Sequence, residues 1–172
     1  FMVQNVDELA DTIRDAFRIA NTGRKGPVLI DIPKDVTAAI GDFEYPSEIK
    51  MQTYKPNVKG HPNQIKKACE AILASKKPIA YIGGGAVSSG ASDEIRKFIQ
   101  KTQIPAVENL MALGVLTPVN PLNLAMVGMH GSYAANMALS EADLIICLGA
   151  RFDDRVTGKL SEFAKNAKII HI

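Results

Sequence analysis

The chain alternates between amphipathic stretches and short, nearly continuous apolar runs. Across residues 6–21, apolar side chains recur every three or four positions, which predicts an amphipathic helix. Residues 27–32 form an apolar run that predicts a buried strand ending at Pro33. A single helix and strand cannot bury their own apolar faces, so this part of the chain requires packing partners from elsewhere in the protein.

From residue 41 to residue 60 the apolar periodicity disappears. Pro46 and Pro56 flank a polar stretch, which is typical of a linker between domains. We therefore divide the chain into a first part at residues 1–40, a linker at residues 41–60 and a main domain at residues 61–172.

Helical and strand patterns alternate through the main domain. The predicted helices begin near His61, at Ser92 and after Gly131, with a short one at residues 160–165. The predicted strands cover residues 78–82, 104–108, 143–149 and 168–172. The long loop that follows the second of these strands contains Gly114, Pro118, Pro121 and Gly128. Alternating helices and nearly continuous apolar strands predict an α/β fold, a doubly wound, Rossmann-like parallel sheet with helices on both faces.

Two cysteines, Cys69 and Cys147, both lie within apolar patterns. Because free cysteine is commonly buried, we expect two reduced core thiols. Ile65, Ile72 and Leu73 share the face of Cys69 and are expected to point inward with it. Nothing in the cysteine spacing suggests a disulfide scaffold or a zinc site.

The charges are nearly balanced, with 20 basic and 18 acidic side chains and a formal net charge of +2. This balance gives no reason to expect a nucleic-acid or anionic-membrane partner. No apolar run approaches the roughly 20 residues that span a bilayer, and the first residues do not resemble a signal peptide. A cytoplasmic location is the expectation.

Ligands of open parallel sheets bind beyond the carboxyl ends of the strands, and three loops here follow predicted strands. The first contains Gly83, Gly84 and Gly85. Without Cβ atoms, such a loop can approach a phosphate closely and direct N–H groups at it. The run is not a GxGxxG motif, so a purely structural turn is the alternative.

The second loop, residues 128–132, contains Met129 and His130 between Gly128 and Gly131. A general base needs a hydrogen-bonding partner, and none is evident near His130 in the sequence. We therefore predict that His130 lines a ligand rather than acts in catalysis. The alternative is a loop histidine that caps the following helix.

The third loop follows the most apolar predicted strand and contains Arg151, Asp153, Asp154 and Arg155. Charged groups at a strand end are costly to order unless they pair or bind something. Guanidinium groups suit phosphate oxygens and stack on planar rings. A self-contained ion-pair network is the alternative. The residues alone thus indicate a phosphate-containing cofactor bound by a doubly wound domain.

Three motifs give the chain a family resemblance. GRKGPVLIDIPKDV at residues 23–36 resembles the end of the N-terminal, pyrimidine-binding domain of thiamine-diphosphate-dependent enzymes. GMHG at residues 128–131 and GARFDDRVTG at residues 149–158 are more specific and resemble the acetolactate synthase catalytic-subunit family. The resemblance runs through the whole chain.

The resemblance implies an enzyme that condenses two pyruvates to 2-acetolactate and CO2, or pyruvate with 2-oxobutyrate, in branched-chain amino acid biosynthesis. Thiamine diphosphate and Mg2+ serve that chemistry, and FAD is a structural cofactor of the central domain. The resemblance also implies a homodimer or homotetramer and a possible small regulatory subunit. Residues 1–40 would close the N-terminal thiamine-binding domain, and residues 61–172 would form most of the central FAD-binding domain, truncated at its C-terminus.

By motif, the resemblance places FAD contacts at Arg24, Gly83, Gly84, Gly85, Asn109, Leu110, Met129, His130, Gly131, Arg151, Asp153 and Arg155. The catalytic glutamate and the Mg2+-diphosphate motif of the family have no counterpart in this chain. We therefore expect no catalytic or metal-binding residue here, an inactive isolated chain and weak FAD binding by it. The alternatives are another thiamine-diphosphate enzyme, such as glyoxylate carboligase or pyruvate oxidase, and a non-catalytic nucleotide-binding module.

Overall fold

The computed structural model describes residues 1–46, 51 and 53–172. These residues form two compact units, Phe1–Gly60 and His61–Ile172. Part of the predicted linker, residues 47–50 and 52, lies outside the described residues. Within the described part of the chain, no helix has the length and apolar character needed to cross a membrane.

The first unit contains the predicted amphipathic helix. A 3-10 turn at Val6–Glu8 leads directly into α1, Leu9–Asn21, which confirms the prediction for residues 6–21. The side chain of Asn5 accepts a hydrogen bond from the Asp7 amide and caps the turn. A short second helix, α2, Lys34–Ala38, was not predicted and begins directly after Pro33.

The predicted buried strand at residues 27–32 is wrong. The segment is extended, but its one ladder contact among the described residues is a parallel bridge between Met2 and Asp31. Leu29 is 81% exposed. A strand is buried only when other strands flank it and layers cover both of its faces. The described residues of this unit supply neither.

The second unit alternates strands and helices. Its elements are α3, Pro62–Ala74; β1, Pro78–Ile82; α4, Gly84–Ser88; α5, Ser92–Thr102; β2, Ala106–Glu108; β3, Asn123–Met126; α6, Tyr133–Glu141; β4, Leu144–Leu148; α7, Asp154–Thr157; and β5, Lys168–His171. The five strands form one parallel sheet in the order β3-β2-β1-β4-β5. The predicted α/β doubly wound fold is confirmed.

Two apolar cores cover the two faces of this sheet. Ala80 and Ile82 of β1 belong to one core, together with α5. Ile79 and Tyr81 of the same strand belong to the other, together with α6. Successive strand residues point to opposite faces, so burial on both sides explains the nearly continuous apolar runs.

The direction of winding reverses between β1 and β4. From β1 the chain continues outward through β2 and β3, and it then returns to β4 on the other side of β1. The segment after β1 packs on the first core, whereas Phe152 and Phe163, after β4, pack on the second. This reversal is the switch point at which open α/β sheets bind ligands beyond their strand ends.

Two local predictions in the second unit are wrong. The predicted long loop around Gly114, Pro118, Pro121 and Gly128 contains β3, a four-residue edge strand interrupted by a register shift and a positive φ at Ala125. So short and irregular a strand leaves no alternating pattern to detect. Residues 160–165 form turns rather than a helix, and the helix of this region is α7, a single turn at Asp154–Thr157.

The face of α3 predicted to point inward is largely exposed. Ile65 is 54% and Leu73 is 86% exposed, and Cys69 is exposed too, whereas Ile72 packs against the first core. The expectation of a buried thiol is therefore wrong for Cys69 and confirmed for Cys147. Helical spacing identifies an apolar stripe, but it does not show whether another layer covers that stripe.

Candidate functional site

The loops that follow β1 and β4 pack backbone against backbone at the switch point. The Gly85 amide donates a 2.8 Å hydrogen bond to the Gly149 carbonyl oxygen. A Cβ atom on Gly83 would lie 2.3 Å from the Cα of Ala150, and one on Gly85 would lie 2.7 Å from the Gly149 oxygen. Close packing between these loops therefore explains why positions 83 and 85 are glycines. This agrees with the alternative that the glycine run is a structural turn. Contact of their main chain with a cofactor remains a prediction.

The loop after β2 lies against the same glycine run. A Cβ atom on Gly84 would lie 2.7 Å from the Cβ of Met111, and the Asn109 amide donates to the Ile82 carbonyl oxygen. The Oδ1 atom of Asn109 is buried without a hydrogen-bond partner, and Leu110 is 69% exposed. A buried acceptor without a donor is unfavourable, so this oxygen is available to a ligand.

A buried carboxylate, overlooked in the sequence, fixes the loop after β2. Glu108 is 1% exposed, and its Oε1 atom accepts a 2.8 Å hydrogen bond from the Leu116 amide. Its Oε2 atom accepts a longer bond from Gly114. The available signal was a glutamate at the end of an otherwise apolar strand, a residue type seldom buried without partners.

The loop after β3 is held by two side chains of α6. Asn136 accepts from the Gly128 amide at 2.9 Å and donates to the Gly128 carbonyl oxygen at 3.0 Å. Ser132 caps α6 by accepting from the Ala135 amide. The alternative in which His130 caps this helix is therefore wrong. His130 and Met129 are exposed in the preceding turn.

The loop after β4 ends in the N-cap of α7. Asp153 accepts from the Arg155 amide, and its other oxygen lies 3.8 Å from the Arg151 guanidinium. Arg155 has no ion-pair partner among the described residues, and Asp154 is exposed. One long, exposed ion pair is not a self-contained network, so the arginines are available to a ligand.

Tyr81 and Cys147 are buried ionisable groups next to this loop. The Tyr81 hydroxyl donates to the Arg151 carbonyl oxygen at 3.2 Å. Burial, reinforced by the negative charge of Asp153, raises the pKa of Tyr81 to about 12, although Asn109 and Arg151 act in the opposite direction. Burial also raises the pKa of the Cys147 thiol to about 11. Both groups therefore stay protonated at neutral pH.

The structure brings eleven of the twelve predicted contacts to loops at one edge of the sheet. These residues follow β1, β2, β3 and β4 and are Gly83, Gly84, Gly85, Asn109, Leu110, Met129, His130, Gly131, Arg151, Asp153 and Arg155. Arg24 belongs to the first unit, where it is exposed in the bend after α1. Among the described residues, no three or more His, Cys, Asp or Glu side chains group in a way that could hold a metal ion.

Comparison with known proteins supports the resemblance seen in the motifs. An acetolactate synthase large subunit of Haemophilus influenzae is 44% identical over 174 residues, which cover 100% of this chain and 30% of that protein. A probable acetolactate synthase large subunit of Methanococcus aeolicus is 47% identical over 175 residues, covering 100% and 29%. The corresponding subunit of Corynebacterium glutamicum is 47% identical over 171 residues, covering 99% and 27%.

The chain thus spans less than a third of the length of these relatives. Residues 65–172 match the family described as thiamine pyrophosphate enzyme, central domain. The resemblance to acetolactate synthase large subunits is confirmed. The chain belongs to the thiamine pyrophosphate enzyme family.

Proposed function

We propose that this chain is part of the large subunit of an acetolactate synthase and that its second unit binds FAD as a structural cofactor. The whole enzyme would condense two pyruvates to 2-acetolactate and CO2, or pyruvate with 2-oxobutyrate. Thiamine diphosphate and Mg2+ would bind to parts of the protein outside this chain, so the segment itself is not catalytic. The proposal includes a cytoplasmic homo-oligomer and a possible small regulatory subunit.

The observation that carries the proposal is the meeting of four loops at the switch point. The loop after β1 packs on the loop after β4 through Gly85 and Gly149. The loop after β3 bonds to α7 through Met129 and Arg155. Open α/β sheets bind nucleotides at this position, and the relatives that match this chain along its whole length are acetolactate synthase large subunits.

The residues at this edge fit a flavin dinucleotide. Arg151 and Arg155 present exposed guanidinium groups suited to a diphosphate, and the unpartnered Asn109 oxygen can accept from a ligand N–H or O–H group. Leu110 and Met129 are 69% and 63% exposed and offer an apolar surface to a planar ring. Bound FAD would supply bulk and charge that order these loops, without net electron transfer in the condensation.

The test uses the full-length protein that contains this chain. We expect acetolactate to form from pyruvate with thiamine diphosphate and Mg2+, and its formation to require FAD. A double substitution, Arg151→Met with Arg155→Met, should weaken FAD binding at least about tenfold, since two charge-assisted contacts would be lost. Lys101→Met is the matched control and should bind FAD as the wild type does, because Lys101 is an exposed residue in the last turn of α5, near the opposite edge of the sheet.

Three outcomes would point elsewhere. Bound FAD without acetolactate formation would favour a sister thiamine enzyme such as glyoxylate carboligase or pyruvate oxidase. Equal competition by ADP and FAD would favour a general nucleotide-binding module. Unchanged FAD affinity in the double variant would remove the arginine loop from the site.

A further inference from the structure

Tyr81 places a hydroxyl group in the central strand of the sheet. It lies in β1 between Val107 of β2 and Cys147 of β4 and is fully buried. Its hydroxyl donates a 3.2 Å hydrogen bond to the Arg151 carbonyl oxygen, in the loop that follows β4. The phenol thus connects the central strand of the sheet to the loop that follows β4.

Residues of β4 and β5 also bind the main chain next to Arg151, at Ala150. The Nε2 atom of His171 lies 2.9 Å from the Ala150 carbonyl oxygen, and Cys147 donates to that oxygen through its Sγ atom at 3.4 Å. The ring of Phe152 packs edge-on against the ring of His171, with 5.4 Å between the ring centroids. It packs at a tilt against the ring of Tyr81, with 5.8 Å between the centroids. Residues 150–152 are therefore fixed through both main-chain and side-chain contacts.

The Arg151 side chain makes few contacts within the protein, whereas its backbone is held by a hydrogen bond from Tyr81. Its side chain is 64% exposed, and its guanidinium has one ion pair, with Asp153 at 3.8 Å. Such a pair contributes little, so side-chain contacts within the protein do not determine where this cation points. The position and direction of the Arg151 backbone therefore determine which space the guanidinium can reach. Tyr81 helps to fix that backbone, because its hydroxyl donates to the Arg151 carbonyl oxygen.

We propose that Tyr81 is a positioning residue that orients Arg151 toward the phosphate groups of a bound nucleotide cofactor. This inference rests on the proposed function and adds a residue that touches no ligand itself. The competing explanation is that Tyr81 is a core residue whose hydroxyl is merely satisfied. Phenylalanine would fill the same volume in the second core, so the two explanations differ only in what the hydroxyl does for Arg151.

A double-mutant cycle in the full-length protein separates the two explanations. FAD affinity is measured by flavin fluorescence for the wild type, Tyr81→Phe, Arg151→Met and the double variant. We expect Tyr81→Phe to weaken FAD binding about tenfold and to have no further effect once Arg151 is replaced. Tyr133→Phe is the matched control, because Tyr133 is 80% exposed and its hydroxyl has no partner among the described residues.

Hydrogen exchange of peptides covering residues 149–158, measured without cofactor, tests the positioning independently of FAD. We expect faster exchange there in Tyr81→Phe than in the wild type, with no change in Tyr133→Phe. Wild-type FAD affinity in Tyr81→Phe, or an undiminished effect in the Arg151→Met background, would overturn the inference. If the wild type itself bound no FAD, the proposed function would fail, and exchange alone would decide: unchanged rates would overturn the positioning role and faster rates would support it.

Discussion

The main-chain amide of Met129 donates a 2.8 Å hydrogen bond to the carbonyl oxygen of Arg155. The two residues follow β3 and β4, which are not neighbours in the sheet, because β2 and β1 lie between them. The bond therefore connects two loops past the ends of the central strands. It brings two segments that are far apart in the sequence into one candidate site, and its geometry depends on how firmly each loop is held.

Asn136 is expected to hold the first of these loops. Replacing it with alanine removes both of its bonds to Gly128, the residue next to Met129. Two lost side-chain hydrogen bonds should lower the free energy of unfolding by about 1–3 kcal/mol. Urea denaturation of the 172-residue chain measures this change. Asn166→Ala, at an exposed turn position, is the control and should change stability by less than about 0.5 kcal/mol.

Gly83→Ala should disrupt the contact between the loops that follow β1 and β4. The new methyl group would lie 2.3 Å from the Cα of Ala150, and backbone cannot move aside as a flexible side chain can. We expect a loss of about 2–3 kcal/mol or more in the free energy of unfolding, measured by thermal denaturation. Gly26→Ala, where a Cβ would meet nothing within 4 Å, should be neutral. Equal stability of both variants would show that these loops do not pack closely.

Sequence patterns predicted those elements whose buried faces carry apolar residues at regular spacing. The strands β1 and β4 and the helix α5 are covered by a core, and their apolar positions predicted them. The pattern failed at residues 27–32 and at Leu73, because an apolar segment looks the same whether or not another layer covers it. Packing partners are a tertiary property that spacing within one segment does not contain.

The sequence predicted which loops form the candidate site, but it did not predict which residues hold those loops in place. Parallel strands bring their following loops to one edge, so the glycine, histidine and arginine loops could be placed together from the sequence. The residues that hold these loops, Glu108, Asn136 and Tyr81, were not identified. Each acts through a hydrogen bond to the backbone of another segment, and no local motif reports such a bond.

Stability should depend on pH through Asp143, which lies before β4. Its carboxylate accepts from the Ser75 hydroxyl and from the amides of Lys76 and Lys77, and these bonds hold the pKa of Asp143 below its ordinary value of 3.8. A depressed folded-state pKa stabilises the fold above the unfolded pKa, and the contribution is lost as the pH falls through the folded pKa.

Asp143→Asn should therefore lower the melting temperature at pH 7, and its difference from the wild type should shrink below about pH 3.8. Melting temperatures measured from pH 2 to pH 7 test this dependence. Glu94→Gln, at an exposed position of α5, should show no comparable difference at pH 7. A gap between Asp143→Asn and the wild type that stayed constant down to pH 2 would contradict the assigned role of the carboxylate.

The two thiols should differ sharply in reactivity. Cys69 is exposed on α3, whereas Cys147 is fully buried in β4 and its pKa is raised to about 11. At pH 8 that pKa leaves about one part in a thousand of Cys147 as thiolate, the reactive form, and burial excludes the reagent as well. Titration of the native chain with a chromogenic disulfide should therefore modify one thiol rapidly, and both should react in denaturant. Cys69→Ser should abolish the rapid phase. Rapid reaction of Cys147 in the native chain would mean that β4 opens readily, and the site it supports at Arg151 would then not be the rigid edge described.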